Sequence, residues 1–211
     1  MSGKQPDGAP FGLALLLAGL AGWVDAAGLA GSGGVFISFM SGNTTDLAVS
    51  LIQRKWPEAL LIGSIVALFV AGVAAGEAVE SRSGRQGPSI VLGLEALFLA
   101  AGAAVFWHGG AGRFELCPLV FAMGLQNATM HRAAGISIGL TYVTGTLVQI
   151  GRGLGGGGSG ASVKYCSLWL SLLTGAALAT LAMSLSVPGA LSAAAAAAAI
   201  IAAVTAVRRP R

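Results

Sequence analysis

Apolar runs separated by short polar breaks occupy almost the whole chain. Phe11 to about Leu29 is the first run, and Gly31, Gly33 and Gly34 break it. Val35 to Ile52 follows, interrupted by the polar stretch Ser41 to Asp46. Arg54, Lys55 and Trp56 mark an interface, where basic residues and an amphipathic ring sit at headgroup level. Ala59 to about Gly76 is a clean span, ended by Glu77 and Glu80. A polar turn from Ser81 to Gly87 leads to Ser89–Trp107, a span with Glu95 inside it. His108 to Glu115 forms a central loop, after which Leu116–Met130 and Ile136–Ile150 are shorter and more polar. Gly153 to Gly160 reads as a glycine-rich linker. Cys166 to about Leu185 is a further span, and an alanine-rich run from Pro188 to Val207 is the last. A helix needs about 20 apolar residues to cross the hydrocarbon core. The pattern therefore predicts an all-α, polytopic membrane protein of six to eight membrane segments, forming one membrane domain over residues 1–211.

Composition agrees. The chain is 55% hydrophobic and 9% charged, with a mean hydropathy of +0.80, whereas a soluble domain carries about 25% charged residues. The net charge is +4, but the bases stand at segment ends. They therefore set topology and meet lipid headgroups; no nucleic-acid partner is expected. Cys117 and Cys166 have neither a CxxC nor a histidine-paired spacing and read as small apolar fillers. The first run has the core of a signal peptide. Gly22 and Asp25 at its far end recur later, so it belongs to the mature fold.

That recurrence divides the chain into halves, 11–107 and 116–207. Shifted by 102 residues, Gly22, Asp25, Ala26 and Gly33 fall on Gly124, Asn127, Ala128 and Gly135. After a one-residue slip, Ser41, Gly42 and Asn43 fall on Thr144, Gly145 and Thr146. Duplicated transporters place their sites at the interface between repeats. If all eight segments cross, one side holds Lys4, Arg54, Lys55, Arg113, Arg152, Lys164 and the three C-terminal arginines, against Arg82, Arg85 and Arg132. If each polar pair makes one broken crossing, six result. Lys4, Arg82, Arg85, Arg152, Lys164 and the C-terminal arginines then oppose Arg54, Lys55 and Arg113. Both arrangements put the termini in the cytoplasm. The first keeps equivalent loops equally basic, which favours it; the polar load of Val35–Ile52 suits a broken helix better.

The polar residues inside these runs carry the candidate chemistry. A central aspartate costs roughly 2.5–3.5 kcal/mol on insertion scales, so such residues need partners or water. Asp25, Ser41, Asn43, Thr44 and Asp46 from the first half, and Gln126, Asn127 and Thr144 from the second, are candidates for contacting a solute. Gly42, Asn43 and Asp46 read as a compact polar turn. Asp25, Asp46, Glu95 and His131 are candidates for carrying a proton, with Glu95 placed to pair with His131 or Arg132. No HExxH, GxSxG or histidine–carboxylate ligand spacing occurs. No enzyme activity, metal or cofactor is therefore expected.

Gly22-Trp23-Val24-Asp25-Ala26, Phe36 to Thr44, Gly124-Leu125-Gln126-Asn127-Ala128 and Thr141 to Leu147 together resemble the YoaK-like family of bacterial integral membrane proteins. The family is a domain of unknown function, and the resemblance covers most of the chain. Ser41 stands where the family pattern usually shows threonine, which keeps the hydroxyl. The resemblance implies a multi-pass protein of the bacterial inner membrane and names no substrate. The expectation is a secondary transporter for a small solute or ion, proton-coupled through one of the acids. The alternative is a non-transporting scaffold that binds a partner or lipid. The expected partners are membrane lipid, an unidentified small solute and a second copy of the chain.

Overall fold

The computed structural model describes residues 11–32, 34–109, 114–133, 143–157 and 159–207. These residues form the helices α1 (Phe11–Ser32), α2 (Met40–Ile52), α3 (Trp56–Ser83), α4 (Gly87–Trp107), α5 (Cys117–Ala133), α6 (Val143–Arg152), α7 (Ser159–Met183) and α8 (Val187–Val207). Proline stands second in α3, α4, α5 and α8, where its missing N–H leaves no intrahelical bond unmade. Gly84 ends α3 at φ 51°, in the left-handed region open to glycine. The three-residue turn Gly84–Gln86 then reverses the chain.

Four apolar helical runs among the described residues are long enough to cross a bilayer: Phe11–Ala30, Trp56–Trp107, Ser162–Met183 and Val187–Val207. Trp56–Trp107 contains both α3, of 28 residues, and α4, of 21. The 13-residue α2 and 10-residue α6 rise about 20 Å and 15 Å, short of the ~30 Å core.

Helices α1, α4, α5 and α8 form the centre, with α4 against α5 and α8, and α1 against α5 and α8. Helix α7 packs along α1, and α3 along α5; α2 lies on α3 and α6 on α7. Lipid gives no hydrophobic drive between helices, so contact depends on close backbone approach through small residues. A Cβ on Gly22 would overlap the carbonyl of Leu172, and one on Gly175 would overlap that of Gly19. In the same way Gly72 meets the Phe121 carbonyl and Gly124 that of Phe69. Side-chain bonds tie the centre further. Trp23 Nε1 donates to the Ala190 carbonyl (2.8 Å), and Ser171 Oγ to that of Leu15 (2.7 Å).

Three sequence expectations change. Ser41–Asp46 does not interrupt a helix; it lies in the first turns of α2, and the break comes earlier, at residues 34–39. Glu77 and Glu80 do not end a span, because α3 runs on to Ser83 with Glu80 buried. The glycine stretch is not all linker: the chain kinks at Gly156, which takes a φ of 104°, and α7 already starts at Ser159.

Candidate functional site

Residues 34–39 return alongside α1. Ile37 fills the space over Gly28, and the Asp25 carboxylate caps the same backbone. Asp25 Oδ1 accepts the N–H groups of Ile37 (3.1 Å) and Ser38 (2.7 Å), and Oδ2 accepts the Ser38 hydroxyl. Asp25 lies two turns before the end of α1, so the returning arm is held well inside the helix layer. Non-helical backbone there leaves its amides without helical partners, and lipid offers none. The carboxylate supplies them.

Asn43 does the same from the other side. Its Nδ2 donates to the Phe36 carbonyl (2.8 Å), and its Oδ1 accepts the Phe36 N–H (3.3 Å). This two-way bond lays α2 against the arm. The base of the pair is closed by Gly34 and Val35 facing Val49, Ser50 and Gln53. The arm and α2 thus lie side by side, joined through Phe36 and Asn43. Leu47 then reaches Gly63, so α3 runs back beside α2. Asn43→Ala should lower stability by about 2 kcal/mol or more, since it orphans two backbone groups at about 1–3 kcal/mol each. Unfolding in detergent measures it. Ser41→Ala, at an exposed position, should stay within about 0.5 kcal/mol.

Asp25 and Asn43 are thus brought together around one backbone segment, while the other candidates scatter. Ser41, Thr44 and Asp46 are exposed on α2, and Thr44 Oγ1 donates to its own helix at Met40 (2.7 Å). Asp46 lines a polar cavity of about 200 Å³ at the base of the arm, with Gln53, Lys55 and Glu58. Gln126 is buried and its Nε2 donates to the Leu17 carbonyl (2.8 Å), joining α5 to α1. Asn127, the counterpart of Asp25, donates to the Met123 carbonyl (2.9 Å). Thr144 is exposed on α6, whereas Thr146, the counterpart of Asn43, is buried. Glu95 is fully buried on α4. The side chains of His131 and Arg132, the expected partners of Glu95, lie outside the described residues, as do Gly33, Gly135, Thr141 and Tyr142. Among the described residues no group of three or more His, Cys, Asp or Glu side chains could hold a metal ion.

Two features were missed from the sequence. Ser38 supplies two of the three donors to Asp25, yet it sits thirteen residues away in an apolar run and carries no periodic signal. Glu80 accepts the Thr129 hydroxyl (2.9 Å) between α3 and α5. Their signal was only that each is polar within a greasy stretch.

A family model described as "Protein of unknown function (DUF1275)" matches residues 13–207. The chain is 38% identical over 171 residues to a Rhizobium meliloti (strain 1021) protein described as UPF0700 transmembrane protein RA0705. The match covers 78% of this chain and 73% of that relative. No solved structure matches. These findings bear out the resemblance to the YoaK-like family: the chain belongs to the DUF1275 family and is a helical membrane protein.

Proposed function

We propose that the protein is a secondary transporter for a small solute or ion, built from two inverted halves of three crossings each. One observation carries the reading: a non-helical backbone arm held against the helices by Asp25 and Asn43. Non-helical backbone at membrane depth survives only where protein or a wet cavity covers it, and discontinuous segments of this kind build the solute sites of transporters.

The halves are supported by packing. Taking α1–α4 onto α5–α8 in order carries α1 on α7 into α5 on α3, and α2 on α3 into α6 on α7. It carries α1 on α8 into α5 on α4, and leaves α4 on α8 and α1 on α5 unchanged. The glycine contacts follow the same rule. Gly22 on Leu172 corresponds to Gly124 on Phe69, and Gly175 on Gly19 to Gly72 on Phe121. The arm and α2 enter and leave on one side, so α1, α3 and α4 are the crossings of the first half. Three crossings invert the second half. Arg82, Arg85, Arg152, Lys164 and the C-terminal arginines then share one side, against Arg54, Lys55 and Arg113. By the positive-inside rule that basic side is cytoplasmic, with both termini, in a bacterial inner membrane. On this reading the protein is a carrier rather than an enzyme.

Uptake into proteoliposomes across a panel of small solutes and ions, with and without an imposed proton gradient, tests the proposal. At least one solute should enter faster than into empty liposomes, and Asp46→Asn, in the cavity at the base of the arm, should slow it. The proposal does not survive if every solute enters at the empty-liposome rate.

One observation favours a second reading, a non-transporting scaffold. Asp25 and Asn43 bond to the chain's own backbone. The scaffold reading predicts that Asn43→Ala lowers partner or lipid binding only as far as it lowers the folded fraction.

A further inference from the structure

Both carboxyl oxygens of Glu95 and the amide oxygen of Gln126 are buried with no donor among the described residues. Glu95 is wholly inaccessible and Gln126 is 2% exposed. Gln126 is oriented by its Nε2 bond to the Leu17 carbonyl, which leaves Oε1 free.

The packing of α4 on α5 sets these groups opposite each other. Leu119 occupies the space beside Gly102, and the rings of Phe98 and Phe121 meet at 4.7 Å. Numbers fall along one helix as they rise along the other, so the pair is antiparallel. Glu95 and Gln126 each lie seven residues further on from the Gly102–Leu119 contact. Seven residues are two turns, which returns each side chain to the face it shares with that contact. Both residues are near the middle of their helices. Each is a polar group at bilayer depth beside a helix with the same need.

Glu80 of α3 is a second buried acid near this level: its Oε1 accepts the hydroxyl of Thr129, three residues on from Gln126. Helix α8, packed on α4, carries no ionisable side chain. On α3 the backbone of Glu80 lies against Gly87, two turns from Glu95. On α5, Glu115 and Cys117 precede Gln126 by more than two turns, and His131 follows it by more than one. The neighbours along the two helices, Leu92, Ala96, Leu99, Ala122, Met123 and Leu125, are all buried.

We infer that Glu95 and Gln126 bind a small monovalent cation, a proton or an alkali ion, between α4 and α5 at the centre of the membrane domain. A bound proton lets the Glu95 hydroxyl donate to Gln126 Oε1. An alkali ion takes the same oxygens as ligands. Either guest neutralises the Glu95 carboxylate. As the coupling-ion site of a carrier this rests on the transport reading; as a binding site it does not.

Thermal unfolding of the purified protein in detergent tests it, with choline chloride holding ionic strength constant. A Tm that rises by about 5 °C on acidification assigns the site to a proton. A similar rise with LiCl, NaCl or KCl at fixed pH assigns it to an alkali ion. A Tm that responds to neither overturns the inference. In Glu95→Gln the response should vanish and the cation-free Tm should match or exceed wild type, because the new amide donates to Gln126 Oε1. A response that persists in Glu95→Gln also overturns it. If that variant does not fold, Gln126→Leu removes one oxygen and should raise the cation concentration at half-response at least tenfold; an unchanged midpoint counts against the site. A cation response with no flux in liposomes keeps the site and removes the transport reading, and flux with no response does the reverse.

Discussion

Replacing Asp25 by alanine is expected to remove about 3 kcal/mol or more of stability, the largest effect of any polar substitution in the chain. The carboxylate accepts the N–H groups of Ile37 and Ser38 and the Ser38 hydroxyl. Removing it leaves three donors without an acceptor in a layer that supplies no water. Each orphaned group costs about 1–3 kcal/mol, against a total stability of about 5–15 kcal/mol. The arm should detach from α1, and Asn43 alone cannot hold it. Unfolding by denaturant in detergent micelles measures the loss. Asp25→Asn keeps an acceptor oxygen for the backbone amides and should lose markedly less. Asp46→Ala, at an exposed position, should change stability by no more than about 0.5 kcal/mol. Equal losses at Asp25 and Asp46 would mean that Asp25 does not hold the arm.

Substituting valine at Gly22 or Gly124 is the second large expected effect. Each glycine faces backbone rather than a side chain that can swing away, the carbonyl of Leu172 for Gly22 and that of Phe69 for Gly124. The helices must separate to admit the new atoms, and overpacking of this kind costs about 1–3 kcal/mol or more. The two variants should be affected alike, since the contacts correspond across the halves. Gly93→Ala is the control. A Cβ at Gly93 meets nothing within 4 Å, so the change should be neutral or stabilising by up to about 1 kcal/mol. Folded yield by size-exclusion chromatography and Tm both report the difference.

The membrane class was legible because apolar run length and charge placement are properties of local sequence. The start of the last helix at Pro188 was legible for the same reason. The arm was not. Val35, Phe36 and Ile37 read as the start of an apolar helix, and the polar stretch from Ser41 looked like the interruption. The reverse holds, because Asp25 satisfies the non-helical backbone at Ile37 and Ser38 from another element. Pattern along a chain does not record a hydrogen bond across it. Asp25 and Asn43 were rightly singled out as polar residues needing partners, and the partners they found are backbone amides and a carbonyl. Glu80 misled for a related reason. An acid after a clean span resembles a headgroup residue, yet Glu80 turns inward and accepts the Thr129 hydroxyl.

The shape of the arm decides the topology, and one labelling experiment reads it. With Cys117 and Cys166 replaced by serine, single cysteines at Gln53 and Ser184 sit in exposed turns, after α2 and after α7. A membrane-impermeant maleimide applied to intact cells reports which side each occupies. An arm that enters and returns puts Gln53 and Ser184 on the same face, opposite the C-terminus. Labelling of one but not the other would mean that α2 crosses the bilayer, and the account of Asp25 and Asn43 as the clasp of a returning segment would be wrong.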